Sequence, residues 1–284
     1  MTVRTGLDVL VDDGMKRLAG EKVAILGNPA SVDRKFSHLL DRCREGGVDL
    51  VRLFGPEHGL LGDAQDMAHV DGHTDARTGL EVVSLYGNSR DSLFLRPEQL
   101  EGVTTLVCDL QDVGSRYYTF SYTIAFAMRA CAQAGVKCLV LDRPNPIGAV
   151  LVEGNEVRPE FGSFVGEYPL ANRHGMTMGE LCQYFKREDE AAAGCDLEVV
   201  WMRGYNPAQL MRETGAPWVL PSPNMPTPET ALVYPGMCIF EGTNLSEGRG
   251  TTRPFELVGA PYLQDAYAFV ERTRETKLDG VELR

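Results

Sequence analysis

The first half of the chain repeats one pattern: a short apolar, β-branched run stops at a polar or glycine-rich turn, and a helical pattern follows. Runs with these bounds read as buried strands of a parallel sheet. Lys22 to Leu26 ends at Gly27-Asn28-Pro29, Asp49 to Phe54 at Gly55-Pro56-Glu57-His58-Gly59, and Glu81 to Leu85 at Tyr86-Gly87-Asn88. Two further runs, Thr104 to Cys108 and Val136 to Leu141, end at Asp109 and Asp142. Between these two, Tyr122 to Ala134 has helical apolar spacing and stops at Gly135, which predicts a βαβ crossover. A helix is expected from Thr177, with Thr177 and Glu180 spaced as a capping box, before a strand over Leu197 to Met202.

The fold class predicted is α/β, Rossmann-like, with helices on both faces of a mostly parallel sheet. Five prolines from Pro217 to Pro228 deny helix and central strand there. They place a boundary between a Rossmann-like domain over 1–220 and the start of a smaller C-terminal domain over 221–284. The latter is too short to bury a core of its own.

Composition narrows the function classes. A net charge of -12 with both signs interspersed argues against nucleic acid and anionic membrane surfaces. The N-terminus lacks a secretory leader pattern and no run is long enough to span a bilayer, so a cytoplasmic location is expected, or a secreted one if a leader has been trimmed. Seven cysteines, none spaced C-x-x-C, read as buried thiols rather than a disulfide frame or zinc site. His69 and His73, near Asp66 and Asp71, lack an H-E-x-x-H pattern or a third ligand and read as a solvated loop. The first strand runs into GNPAS, not G-x-G-x-x-G, and neither a P-loop nor G-x-S-x-G occurs. No cofactor is therefore expected.

Ligands of open parallel sheets bind at the carboxyl ends of strands. There the sequence collects Glu57 and His58, Asp109, Asp112 and Arg116, and Asp142, Arg143 and Asn145. In FGPEHG, Pro56 stiffens a glycine-flanked turn, and burial against Phe54 and Leu60 would favour a protonated Glu57, the form a general acid needs. The alternative is a loop glutamate paired with an arginine. Asp112 and Arg116 precede a helix and offer either polar contacts to a sugar beside Tyr117, Tyr118 and Phe120 or a helix-capping ion pair. His174 lies just before the capping box. FEGTNLSEGRGTTRPFE holds Glu241, Asn244, Glu247, Arg249 and Arg253. Its arginines suit a carboxylate clamp or pair with neighbouring glutamates.

Taken together, FGPEHGLLGD, SLYG, DLQDVGSRYYTF, LDRPNP, RHGMTMGE, PSPNMPT and FEGTNLSEGRGTTRPFE resemble, in order, the blocks of the NamZ-type exo-β-N-acetylmuramidases. The resemblance covers nearly the whole chain. It implies a Rossmann-like domain, a smaller C-terminal domain and an active-site cleft between them. The implied activity is release of N-acetylmuramic acid from the non-reducing end of peptidoglycan-derived saccharides. The family's proposed catalytic glutamate falls on Glu57, with Glu241 the leading second carboxylate and Asp112 its competitor. His58, Arg116, Tyr118, Arg143, Asn145, His174, Asn224, Asn244 and Arg249 fall on substrate-binding blocks, and Arg249, Arg116 or Arg143 would clamp the lactyl carboxylate. The sugar's own 2-acetamido group is an alternative nucleophile. Members usually continue for roughly another hundred residues, the length of a small domain. The rival reading is a sugar- or muropeptide-binding protein without turnover.

Overall fold

Alternate residues of each strand face opposite sides of a sheet, and in this chain both sides are apolar. The structure is a computed structural model and describes residues 2–62, 72–87 and 89–277. His69, Asp66 and Asp71 lie outside the described residues, and His73 is exposed.

The chain divides into two compact units, Met1–Pro235 and Gly236–Arg284. The division falls beyond the proline-dense stretch because that stretch is tied into the first unit. The Asn28 side-chain amide donates to the Pro221 carbonyl, and Met225, Thr230 and Ala231 are buried.

In the first unit, α1 (Gly6–Asp12) precedes β1 (Lys22–Gly27), α2 (Leu39–Glu45) and β2 (Asp49–Gly55). Next come β3 (His73–Thr74), β4 (Glu81–Ser84), β5 (Thr105–Asp109), α3 (Phe120–Ala134) and β6 (Lys137–Leu141). A hairpin of β7 (Glu153–Glu156) and β8 (Ala171–Arg173) leads to α4 (Met178–Glu188), β9 (Leu197–Val200), the single turn α5 (Met211–Thr214) and α6 (Pro228–Met237), whose last two residues belong to the second unit.

Among the described residues, seven strands form one sheet in the order β3-β4-β2-β1-β5-β6-β9, parallel except for β3. One face packs Val23, Ile25, Val107, Leu139 and Val200 against Leu7 and Leu10 of α1 and Leu39, Leu40 and Cys43 of α2. On the other, α3 and α4 pack on β6, and the Cys108 and Cys138 sulfurs lie 3.9 Å apart in a thiol-rich core. These cysteines are free, and the hydrogen bond with Cys138, followed by burial, raises the Cys108 thiol well above its usual range.

From β1 the chain builds outward to β2 and β4, then returns to start β5 on the opposite side of β1. That reversal makes β1 and β5 the switch point, the place at which open α/β sheets bind ligands beyond the carboxyl ends of their strands.

The second unit begins with a 3-10 turn over Cys238–Gly242 and ends with α7 (Ala266–Arg274). Between them, Ser246 and Gly259 form a bridge, and the Arg249 guanidinium lies 5.0 Å above the ring of buried Phe255.

Candidate active site

β2 delivers the FGPEHG turn to the carboxyl edge of the sheet. A side chain on Gly55 would meet the Leu60 backbone nitrogen at 2.8 Å, so the turn closes tightly on itself. His58 takes a left-handed φ of 68°, a conformation costing a non-glycine residue about 1–2 kcal/mol, and such strain concentrates at functional sites. Glu57 and His58 are both buried, as are Phe54 and Leu60.

The Glu57 carboxylate accepts a hydrogen bond of 2.6 Å from the Thr119 hydroxyl. Thr119 is the N-cap of α3, yet its hydroxyl makes no capping bond. The group that would ordinarily satisfy the helix terminus is aimed at Glu57 instead.

The β5 loop supplies the second carboxylate. Asp112 is buried, and its Oδ2 accepts from the Gly114 amide at 2.6 Å and from His174 Nε2 at 3.0 Å. His174 Nδ1 accepts the Met176 amide at 3.2 Å, so the ring proton sits on Nε2 and points at Asp112. Asp112 Oδ1 is buried and receives no hydrogen bond from a described residue.

Asn145 closes the network, donating to the Met176 carbonyl at 3.0 Å and accepting from the Ile147 amide. Gly114, at φ 84°, leaves no room for a Cβ, which would lie 2.4 Å from Asn145 Oδ1.

Tyr118 is buried within electrostatic range of both carboxylates. Burial pushes its phenol well above the usual range, the Ser222 side chain opposes this, and the charges of Glu57 and Asp112 add to it. One ring therefore senses both acids. Asn224, half-buried, lies in the turn from Ser222 to Met225.

Both arginines proposed for this unit are committed to the protein itself. Arg143 grips Asp109 with Nε and, at 2.8 Å, with Nη2, and also donates to the Val32 carbonyl. Arg116 donates to the carbonyls of Asn155 and, at 2.8 Å, Leu170, not to Asp112. It also lines a groove of about 430 Å³ with Tyr117, Arg158, Phe161 and Val165.

In the second unit, Glu241 is paired with Arg249 at 2.7 Å, and Arg249 also meets Glu247 at 3.0 Å. Asn244 accepts from the Tyr262 hydroxyl, and Arg253 pairs with Glu256. The charges of this loop pair with one another.

Among the described residues, no three His, Cys, Asp or Glu side chains gather as a metal site. No helix among them is long and apolar enough to cross a membrane. The sequence did not single out Thr119 or Ser222. A threonine before a helix reads as a cap, and only the fold brings it to Glu57.

Residues 23–229 match the family described as exo-beta-N-acetylmuramidase NamZ, N-terminal, and residues 232–284 match its C-terminal counterpart. The chain is 45% identical over 283 residues to the peptidoglycan beta-N-acetylmuramidase NamZ of Bacillus subtilis (strain 168), covering 99% of this chain and 67% of that protein. Crystal structures of two DUF1343 family proteins from Bacteroides fragilis share the fold. One superposes with a TM-score of 0.90 at 36% identity, covering 100% of this chain and 71% of that one. The other gives 0.77 at 33%, covering 93% and 69%.

Proposed function

The chain belongs to the exo-β-N-acetylmuramidase NamZ family, and on that premise we propose that it hydrolyses the glycosidic bond of N-acetylmuramic acid at the non-reducing end of peptidoglycan-derived saccharides. The observation that carries this reading is the 45% identity to a peptidoglycan β-N-acetylmuramidase across nearly the whole chain. The geometry supports it. Glycoside cleavage needs a carboxyl group beside the leaving oxygen and a second group acting at the sugar ring. Glu57 is the general acid, held by Thr119 at the end of β2.

Asp112 acts opposite it and takes precedence over Glu241. Asp112 is buried and keeps one carboxylate oxygen without a described partner. Glu241 is exposed and already neutralised by Arg249. Arg143 is withdrawn from the lactyl clamp, since its guanidinium is spent on Asp109.

The test is incubation of the protein with a muramic-acid-terminated glycan of defined length, with products followed by mass spectrometry. Stepwise loss of single N-acetylmuramic acid units from the non-reducing end is expected. Saturable binding with no product after prolonged incubation would make this a binding protein instead.

A further inference from the structure

Resting on that reading, we propose that Asp112 acts on the substrate's 2-acetamido N–H through Oδ1, and that His174, as a neutral Nε2–H donor, is the residue that positions it.

The two oxygens of Asp112 are treated differently. Oδ2 is saturated by two donors from separate segments, the Gly114 amide and the His174 ring. Oδ1 is equally buried and accepts nothing from a described residue. A buried carboxylate oxygen left without a donor is costly, so such an atom marks a place where a ligand supplies one. Ser115 Oγ, three residues on, and Asn172 Oδ1, on β8 beside the bridge to Ser115, are likewise buried without a described partner. The bare oxygen thus shares its loop, and the strand bridged to that loop, with other buried polar atoms that lack a described partner.

The proposed substrate carries a donor suited to Oδ1. Its acetamido N–H is borne by C2, one bond from the carbon under attack. The amide oxygen of the same group is the nearest nucleophile that needs no assistance in reaching C1.

The acetamido oxygen forms a bond to C1 while the bond from C1 to the leaving oxygen breaks, and Glu57 gives that oxygen its proton. The acetamido N–H proton passes to Asp112 Oδ1, leaving a neutral oxazoline and a free alcohol. Water then attacks C1 and opens the oxazoline. Glu57 takes the water's proton, and Asp112 returns its own to nitrogen. Two inversions at C1 retain the β configuration.

His174 carries no proton in this cycle. Its Nδ1 is held by the Met176 amide and its Nε2–H fixes Oδ2, which leaves Oδ1 to take the sugar's N–H.

Three measurements test the proposal. Proton NMR of the first product is expected to show the β-anomer; an α-anomer overturns it. The 2-methyl thiazoline of muramic acid, which mimics the oxazoline, is expected to bind the wild-type protein in calorimetry and to bind Asp112→Ala at least tenfold more weakly. Absent or equal binding overturns the proposal without requiring turnover, whereas failure to release N-acetylmuramic acid with tight thiazoline binding would overturn only the hydrolase reading.

For the positioning role, His174→Gln retains a donor near Oδ2. It is expected to keep kcat within about tenfold with an unchanged pH profile, while His174→Ala loses about 10²-fold in kcat, the cost of a misplaced group. Equal losses in both, each folded by circular dichroism, overturn that role.

Discussion

Replacing Arg143 separates a structural arginine from a ligand-binding one. Its side chain is 4% exposed and the Asp109 partner is 0% exposed, so Arg143→Met leaves a buried carboxylate with no cation. Breaking a buried pair in this way costs about 3–5 kcal/mol. At about 2–4 °C per kcal/mol for chains of roughly this size, the thermal midpoint should fall by about 6–20 °C. Adding Asp109→Asn to Arg143→Met should recover part of the loss, because no bare charge then remains. Thermal unfolding followed by circular dichroism at one scan rate measures both, alongside KM for a chromogenic muramide. An unchanged midpoint with a several-fold higher KM would refute the structural assignment and return Arg143 to the substrate.

Two further outcomes follow from the same loops. Gly114→Ala forces a Cβ to within 2.4 Å of Asn145 Oδ1 at a φ of 84°, so a loss of at least about 1–2 kcal/mol is expected in urea unfolding. Its kcat should fall as well, since the Gly114 amide holds Asp112; full activity would show that the loop can shift freely. Asp142 is pushed up from 3.8 to about 6, first by burial, against the Gly179 amide and Thr177, with Glu180 adding. The folded state therefore binds more protons than the unfolded one between those values, so stability falls as pH rises from about 4 to 6, by about 3 kcal/mol. Asp142→Asn removes this dependence, and its stability relative to wild type should rise across that window in urea midpoints. Parallel curves for the two proteins would contradict it.

The sheet was legible because burial on both faces leaves uninterrupted apolar runs. β1, β2, β4, β5 and β6 lie within a residue of the segments that the hydrophobic pattern marked. α4 was marked by its capping box, whose reciprocal bonds between Thr177 and Glu180 are present. The β7 and β8 hairpin was not legible, since Glu153 to Glu156 are all exposed and carry no alternation. α6 was hidden by its prolines. It starts on Pro228, where a missing amide hydrogen costs nothing in a first turn, and it also contains Pro235.

In the site, strand ends and motifs drew attention to Glu57, Asp112 and His174, but not to what each one touches. Arg143 looked like a ligand group because its partner, Asp109, lies on the neighbouring strand, 34 residues earlier in the chain. Such pairs exist only after folding. The charges of the second unit have partners nearby in the chain, as with Arg253 and Glu256 three residues apart, so there the alternative of mutual pairing could be read from spacing.

The decisive measurement is the turnover of Glu57→Gln on a chromogenic β-N-acetylmuraminide whose leaving group must be protonated, with folding checked by thermal unfolding. Removing a general acid typically costs about 10²–10⁴-fold in kcat, and a loss of that size with a near-native midpoint is the expected result. A correctly folded Glu57→Gln that turns over at the wild-type rate would contradict the assignment of this carboxyl as the acid.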